Sequence, residues 1–231
     1  MAMLFSSTNY FSIVQSYPTF IPASFCLWVN FTALNTGVTD TGGYQTNRLY
    51  GVDDVWEVRA TTDYGTHLTW YFVNEMFSSA TTIPPPATST TVPVPGVWYH
   101  VICTADATKY DQIFINGVYQ AGGPCADTPS STTMTIGNRL DGVNQTCTNG
   151  ILDDVRVYNR VLTASEAATI YACRGSDNIY YGLTNRWLMN EGAAGISATE
   201  TGIMRDTVGN TTGTPVNSPK WTTTFLKTRV K

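Results

Sequence analysis

Hydrophobic and polar side chains alternate with a period of two along much of this chain. Trp56, Val58 and Ala60 alternate with Glu57 and Arg59, which is the pattern of a strand with one face on a core. An amphipathic helix would instead repeat its apolar residues about every 3.6 positions. The chain is therefore predicted to fold as an all-β protein. Other strand-like runs occupy residues 11–14, 25–31, 68–73, 97–104, 110–115, 133–136 and 151–158.

Turn signals between these runs predict how the strands connect. Asn116-Gly117 separates the run at 110–115 from a return strand at 118–120. A type I′ hairpin turn needs a positive φ at both central positions, and Asn-Gly supplies it. Gly, Asn, Thr and Pro separate the other runs, and many short strands with such turns indicate a β-sandwich or a barrel.

A single short helix is predicted after residue 163. Thr163 and Glu166 form a capping-box pattern, in which the threonine side chain accepts from the Glu166 amide while the glutamate side chain reaches back. Residues 167–172 continue the helix, and Gly175 is a typical residue just past a helix end.

The chain is long enough for one core and poor in charge. Its 231 residues carry a net charge of −4 and 13% are charged, against about 25% in an average globular domain. A pI near 5.0 argues against nucleic acid as a partner, because phosphate binding needs clustered Lys and Arg. No apolar run approaches the ~20 residues of a membrane span. We predict one domain over residues 1–231, with a main body at 1–175 and closing strands and a basic tail at 176–231.

Two segments are candidates for contact with neighbours. Residues 78–96 are rich in proline and predict an extended loop without a ladder, either a solvated connection or an arm that packs on another subunit. The end of the chain carries Lys220, Lys227, Arg229 and Lys231. This basic tail either docks on an acidic neighbour or stays solvated. At the other end, the first seven residues show no secretory signal.

The five cysteines are widely spaced and include no Cys-x-x-Cys pair, so zinc is not expected. Mostly free thiols are predicted. If one disulfide forms, Cys125 and Cys147, both in turn-rich sequence, are the expected pair.

Several motifs, read in order, resemble the laminin-G-like jelly roll of the concanavalin A-like lectin/glucanase superfamily. The resemblance covers most of the chain and implies a two-sheet antiparallel jelly-roll β-sandwich with one short helix. Trp28, Trp98 and Trp187 match core positions of that family and are expected to be buried. The matching segments are Phe25–Val29, Gly96–Val101, Ile113–Gly117, Thr135–Asn138 and Gly150–Thr163.

The C-terminal segment resembles strands that the family places first. Residues 181–192 and 206–221 look like those opening strands, so the chain resembles a circularly permuted member, which sandwiches tolerate because their termini often lie close together. We predict that residues 181–225 pair beside residues 3–14. The alternative is that this segment completes the sandwich of a neighbouring chain.

Catalysis is not expected. Glycan-cleaving relatives place two carboxylates about 5–10 Å apart, and the nearest string here is Asp53, Asp54 and Glu57. Asp54 and Glu57 would point to opposite faces of a strand, because side chains alternate with a period of two. No nucleophile motif occurs, and His67 and His100 are the two histidines.

The resemblance implies a possible calcium ion, since related jelly rolls often carry one, and calcium takes six to eight oxygen ligands. The candidate ligands are Asp153, Glu191, Asp206 and Asn210. Asp and Asn are also common turn residues.

A sugar site would need an exposed aromatic ring that covers the apolar face of a sugar, with polar groups around it. The candidates in or near loops are Tyr44, Tyr50, Trp56, Tyr64 and Tyr110, with Asn138, Arg139 and Asp141 on a loop at the rim. The alternative is that these residues pack on partner proteins or cover strand edges.

We predict a non-catalytic structural or adhesion module displayed on a virion, as a phage capsid decoration or tail-associated protein. Such a protein assembles in the host cytoplasm and acts outside it. Its partners would be other virion proteins, copies of itself, and cell-surface glycans. Two alternatives stay open: an exported soluble lectin, and a glycoside hydrolase or lyase of the same superfamily.

Overall fold

Strands dominate the chain. The computed structural model describes residues 2–6, 9–17, 22–36, 45–52, 56–62, 70–76, 87–124, 131–139, 147–199 and 204–224. Within them lie one helix, α1 (Ala164–Cys173), and the strands β1 (Ala2–Phe5), β2 (Tyr10–Tyr17), β3 (Ala23–Phe31), β4 (Thr46–Val52), β5 (Trp56–Thr62), β6 (Trp70–Met76), β7 (Ala87–Thr88), β8 (Trp98–Ala105), β9 (Tyr110–Ile115), β10 (Val118–Pro124), β11 (Ser131–Ile136), β12 (Gly150–Tyr158), β13 (Leu183–Trp187), β14 (Met204–Arg205), β15 (Thr212–Val216) and β16 (Lys220–Thr222). The predicted all-β fold with one short helix is confirmed.

The strands form two antiparallel sheets. The first sheet has the order β10-β9-β8-β3-β12-β1-β16, with β13 also paired to β12. The second has the order β14-β15-β2-β11-β4-β5-β6-β7. Each sheet combines pairs of consecutive strands with pairs that are distant in sequence, and β1 and β2 pair with β16 and β15 from the C-terminal part of the chain. The sandwich is therefore complete only when these C-terminal strands are in place.

The core lies between the inner faces of the two sheets. Phe31 of the first sheet meets Phe72 of the second with ring centroids 6.0 Å apart, and Phe25 meets Tyr50 at 5.6 Å. These contacts confirm the predicted sandwich. They also correct the prediction that Tyr50 is a loop residue for a ligand, because its side chain is fully buried here.

The family tryptophans behave as expected in two of three positions. Trp28 and Trp187 are buried, whereas Trp98 is half-buried. Trp98 is the first residue of β8 and follows the exposed Val97, so less of the protein covers it than the resemblance implied.

The C-terminal strands pair with the N-terminal strands inside one chain. Met3 of β1 lies opposite Trp221 of β16, and Ser12 of β2 lies opposite Thr214 of β15. Trp221 is part of the main core. The predicted pairing of residues 181–225 beside residues 3–14 is therefore confirmed for β15 and β16, whereas β13 pairs with β12. A neighbouring chain is not needed to place these strands.

Helix α1 packs on the outer face of the first sheet. Ala167 and Ile170 join a second apolar cluster with Cys26, Ile102 and Phe114. The predicted capping box is present at the start of the helix, and the helix ends at residue 174 in the left-handed conformation. This helix, the one in the described part of the chain, is too short to cross a membrane.

The turns follow their sequence signals. Asn116 and Gly117 have φ of 53° and 76°, as the predicted type I′ hairpin requires. In the proline-rich segment, β7 makes a two-residue ladder with β6, which corrects the prediction of no ladder there; the segment before it lies outside the described residues. After β7, the hydroxyl of Tyr99 holds the chain in place, because it accepts a hydrogen bond from Val94 N and donates one to Val92 O.

Cys26, Cys103 and Cys173 are free thiols, which agrees with the prediction of mostly free cysteines. Cys125 lies outside the described residues, so its pairing stays a prediction. Of the predicted basic tail, Lys220 lies exposed on β16, and the other three residues lie beyond residue 224.

Candidate functional site

The outer edge of the first sheet carries two exposed tyrosines. Tyr110 lies on β9 and Tyr119 on the terminal strand β10, and 38% and 47% of their surfaces are exposed. Tyr119 lies opposite Phe114, which packs under helix α1 on the outer face. Tyr110 shares that face, because it is four residues from Phe114 along the same strand. Both rings therefore stand on the outer face of the sheet.

Packing holds the two rings in place. A Cβ atom on Gly122 would lie 2.6 Å from Cε1 of Tyr110, so the ring occupies the space that the glycine of β10 leaves open. Tyr119 packs edge-on against Phe114 with centroids 5.6 Å apart. Aromatic rings that cover a glycine on an edge strand are a known way to stabilise such a strand. The rings are thus ordered before any ligand arrives.

The polar ends of the rings lie close together. Partial burial, and then the charge and hydrogen bonding of the Tyr110 hydroxyl, raise the pKa of Tyr119. Next to Tyr119 on β10, the side-chain carbonyl of Gln120 accepts hydrogen bonds from the hydroxyls of Thr90 and Thr91, in the segment after β7, at 2.9 and 3.0 Å. The surface offers flat apolar faces and neutral hydroxyls, which suit a sugar ring.

The predicted sugar-site residues lie in different environments. Tyr110 is exposed as predicted. Asn138 is fully buried and accepts from the Arg139 backbone N–H, so its predicted place on an exposed rim is wrong. Tyr44, Tyr64 and Asp141 lie outside the described residues, as does the side chain of Trp56. Sequence analysis missed Tyr119, although its place opposite Phe114 in the predicted hairpin was a usable signal.

A charged cluster lies on the outer face of the second sheet. Glu57 pairs with Arg48 at 3.2 Å and also with Arg59. Burial alone would raise the pKa of Glu57, but the charges of Arg59, Arg48 and Arg139 outweigh it and hold that pKa below its usual value. A glutamate kept ionised in this way cannot act as a general acid near neutral pH. Asp53 and Asp54, its predicted partners, lie outside the described residues.

A second charged cluster lies on the outer face of the first sheet. Arg156 Nη2 contacts Asp154 Oδ2 at 2.7 Å and Asp177 Oδ2 at 2.9 Å, while Arg186 Nε contacts Asp154 Oδ1 at 2.7 Å. All of these side chains are buried or nearly so. The two carboxylates and the two guanidinium groups balance in charge. Because they come from β12, β13 and the segment after α1, their contacts join these three parts of the chain.

Asp206 does not fit a calcium site. Its Oδ1 accepts backbone N–H bonds from Arg186, Val208 and Gly209 at 2.9 to 3.0 Å, and its Oδ2 accepts from Thr211 Oγ1 at 2.8 Å. Donor hydrogens directed at both oxygens occupy the positions that a cation would need. Asp206 instead closes a turn.

The other predicted metal ligands are in environments that do not favour a cation. Asp153 is buried on β12, Asn210 is exposed, and Glu191 accepts from Arg205 N at 3.1 Å. Burial raises the pKa of Glu191, which disfavours the charged form that a cation prefers. Among the described side chains, no group of three His, Cys, Asp or Glu could hold a metal ion. These residues do not fit the predicted calcium ion.

His100 lies in the interior of the protein and packs against aromatic rings. It is buried on β8, stacked on Trp28 with centroids 4.7 Å apart, and Trp28 in turn stacks on Tyr171 of α1. Burial, and then the charge of Arg156, lower the pKa of His100 to about 3. The imidazole is neutral at pH 7 and lies under the helix.

Sequence comparison identifies a family over most of the chain. The family model described as Concanavalin A-like lectin/glucanases superfamily, of the laminin-G-like type, matches residues 5–168. No curated protein matches the chain in sequence.

Solved structures share the fold. A structure from Bacteroides ovatus ATCC 8483, named as a proposed carbohydrate-binding protein, has a TM-score of 0.71 and 21% identity over 96% of this chain and 60% of that chain. The chain thus spans 60% of that protein. The native heptameric SAP-like pentraxin of Limulus polyphemus has a TM-score of 0.58 and 15% identity over 75% of this chain and 82% of that chain. Trypanosoma rangeli sialidase in complex with sialic acid, at a TM-score of 0.47 and 17% identity over 68% of this chain and 24% of that chain, is too distant to carry an argument.

Proposed function

This chain belongs to the laminin-G-like family of the Concanavalin A-like lectin/glucanases superfamily, and we propose that it is a non-catalytic module that binds glycans at its tyrosine edge. The tyrosine edge is the surface formed by Tyr110, Tyr119 and Gly122 on β9 and β10. A family of lectins and glucanases does not by itself decide between binding and hydrolysis. The side chains of this chain favour binding.

The observation that carries the proposal is the ordered, exposed tyrosine pair. Proteins bury most of their large aromatic rings, so ordered rings left open at a strand edge indicate a contact surface. Tyrosine combines a flat apolar ring with a hydroxyl at its tip, which matches the apolar face and the hydroxyl groups of a sugar. The name of the Bacteroides ovatus structure agrees with this proposal.

The absence of catalysis is part of the proposal. Hydrolysis of a glycoside needs one carboxyl group with a raised pKa to serve as the acid. Glu57 is held ionised by arginines, and Asp154 is locked between Arg156 and Arg186. Burial raises the pKa of Glu191, but its Oε1 already accepts from Arg205 N, and Glu191 is not part of the tyrosine edge. We expect no release of reducing sugar from the polysaccharides that bind. Measurable turnover would favour the glycoside hydrolase or lyase alternative.

A glycan array of neutral and sialylated oligosaccharides tests the binding function. The wild-type chain should bind at least one class, and Tyr110→Ala with Tyr119→Ala should weaken that binding about tenfold or more, a factor that corresponds to about 1.4 kcal/mol. Val118→Ala, on the same strand and 62% exposed, is the matched control and should bind normally. No binding by folded wild-type protein, or full binding by the tyrosine variant, would contradict the proposal.

The proposed place of action is the surface of a virus particle, as a capsid decoration or tail-associated protein. A surface with few charges, rich in Thr, Gly and Asn, supports display among other virion proteins, where the module would meet host glycans. Mass spectrometry of purified particles from the source would find this chain if the proposal is right. Its presence only in the secreted fraction would favour the exported lectin.

A further inference from the structure

A second pair of exposed tyrosines lies outside the part of the chain that matches the family. Tyr180 and Tyr181 are 57% and 83% exposed, and they stand in the turn that leads from α1 into β13. Tyr181 has the largest exposed fraction among the large hydrophobic side chains of the described residues. Two consecutive aromatic side chains that are both this exposed form an apolar patch, and exposed apolar patches mark interaction sites.

The turn that carries these tyrosines is tightly fixed. Leu183 N donates to Tyr180 O at 3.0 Å, and Gly182 between them has a φ of 74°, as a type II turn requires at its third position. Gly182 O accepts from Asn159 N at 2.9 Å. The backbone under the two rings is therefore held on both sides.

An arginine supports the ring of Tyr181 from behind. The guanidinium carbon of Arg160 lies 5.2 Å from the centroid of that ring, and Arg160 Nε donates to the Tyr181 carbonyl at 2.7 Å. Glu166 of α1 fixes the same guanidinium with two bonds of 2.8 and 2.6 Å. A cation on one face leaves the opposite face of the ring for another partner.

The rim of this surface is neutral. Asn159 and Asn178 are exposed beside the turn, and an amide can both donate to and accept from hydroxyl groups. The charge of Arg160 is already matched by Glu166. Flat rings with amides at the rim suit an uncharged ligand rich in hydroxyl groups, as the tyrosine edge does.

We propose that Tyr180 and Tyr181 form a second glycan-binding platform, so that one chain binds two neutral sugars; this rests on the proposed glycan-binding function. Tyr158 lies beside the platform and shares a cross-strand row with Ser24, Thr104 and Gln112. Three strand spacings of about 4.8 Å separate its two ends. The two platforms therefore lie on one face of the first sheet, more than about 14 Å apart, so two glycan chains can bind one protein chain at the same time.

Titration calorimetry on the full chain tests this, with maltohexaose, cellohexaose, xylohexaose and mannohexaose as probes. The hexasaccharide that binds should do so with two sites per chain. The double variant Tyr180→Ala with Tyr181→Ala should keep one binding site, and so should the double variant Tyr110→Ala with Tyr119→Ala. The variant with all four substitutions should bind the hexasaccharide at least tenfold more weakly at both sites. Ile196→Ala, 58% exposed elsewhere, should keep both sites.

The outcomes distinguish a failure of the second platform from a failure of the proposed glycan-binding function. One site in the wild type that Tyr181→Ala leaves unchanged overturns the second platform and leaves the proposed function standing. Loss of all binding in the Tyr110 and Tyr119 variant also overturns it. If no hexasaccharide and no array glycan binds, the proposed function itself fails. If Tyr181→Ala instead abolishes self-association in light scattering, the platform belongs to a protein contact and the inference is wrong.

Discussion

At the scale of single residues, buried charges are tolerated where each has a partner. Arg156 is almost fully buried, yet it contacts the carboxylates of both Asp154 and Asp177. Burial alone would raise the pKa of Asp154, but the charges and hydrogen bonds of Arg156 and Arg186 hold it well below its usual value. Removing one partner from such a group leaves a buried charge uncompensated, which is far more costly than losing a pair at the surface.

Arg156→Met should lower the free energy of unfolding by about 3 to 5 kcal/mol, because Asp177 loses its guanidinium partner inside the protein. Arg160→Met is the matched control, since the pair of Arg160 with Glu166 is partly exposed, and its loss should cost about 1 kcal/mol. Urea unfolding at pH 7 measures both. Equal effects of the two substitutions would show that the buried cluster does not stabilise the fold.

At the scale of elements, the hairpin between β9 and β10 is joined to helix α1. Its turn residue Gly117 has a φ of 76°, and a Cβ atom there would lie 2.9 Å from Cα of Ala168 and 3.1 Å from Cβ of Tyr171. The glycine is thus required both for the turn and for close approach of the helix. This contact fixes the strand that carries Tyr119.

Gly117→Ala should destabilise the protein by about 2 to 4 kcal/mol, from a left-handed backbone that alanine disfavours plus a clash with α1. Gly195→Ala separates the two causes, because Gly195 has a similar φ of 81° and nothing lies within 4 Å of its Cβ position. It should cost about 1 to 2 kcal/mol. Thermal unfolding of both variants gives the comparison, and equal losses would mean that the contact with α1 carries no energy.

The same elements show how far the sequence alone could predict the structure. The strand alternation, the Asn-Gly turn and the capping box were all visible, because each depends on neighbours within a few residues. The place of Asp154 in a buried charged cluster is not predictable from the sequence. Asp154 has a φ of 49° and forms a β-bulge, which adds one residue to β12 between Asp153 and Arg156. Asp153 and Arg156 therefore share a face of the sheet, whereas strict alternation would place them on opposite faces.

The candidate site was less predictable than the fold. Tyr110 is predictable because it begins a recognisable strand-like run, whereas the prediction of Asn138 at the rim of the site is wrong because its side chain is buried. Exposure at a turn depends on which distant segment covers it, and this information is not local. Tyr181 was missed for the same reason, since its support comes from Arg160 and Glu166 on other elements.

At the scale of the whole molecule, strands from the first and last parts of the chain pair with each other. Ala2 lies opposite Thr222 in neighbouring strands, while the match to the family ends at residue 168. The strands after residue 168 add to both sheets and contribute Trp187, Met204 and Trp221 to the core. We propose that the chain is a circularly permuted member of its family.

A permutant tests this proposal. Joining residue 231 to residue 1 and opening the chain between Arg174 and Gly175, ahead of the buried pair of Asp177 with Arg156, would restore the family order, because the C-terminal strands would then come first. The permutant should show the same β-sheet circular dichroism and cooperative unfolding within about 2 kcal/mol of the parent, since the paired strands stay paired. A permutant that fails to unfold cooperatively, beside a parent that does, would contradict the proposed relationship.

The most direct test of glycan recognition is a crystal structure of the chain with the hexasaccharide that binds most tightly. A sugar ring stacked on Tyr110 or Tyr119, within van der Waals contact of the ring face, is the result that we predict. A sugar bound over Arg48, Glu57 and Arg59 on the second sheet, with the tyrosine edge empty, would contradict it.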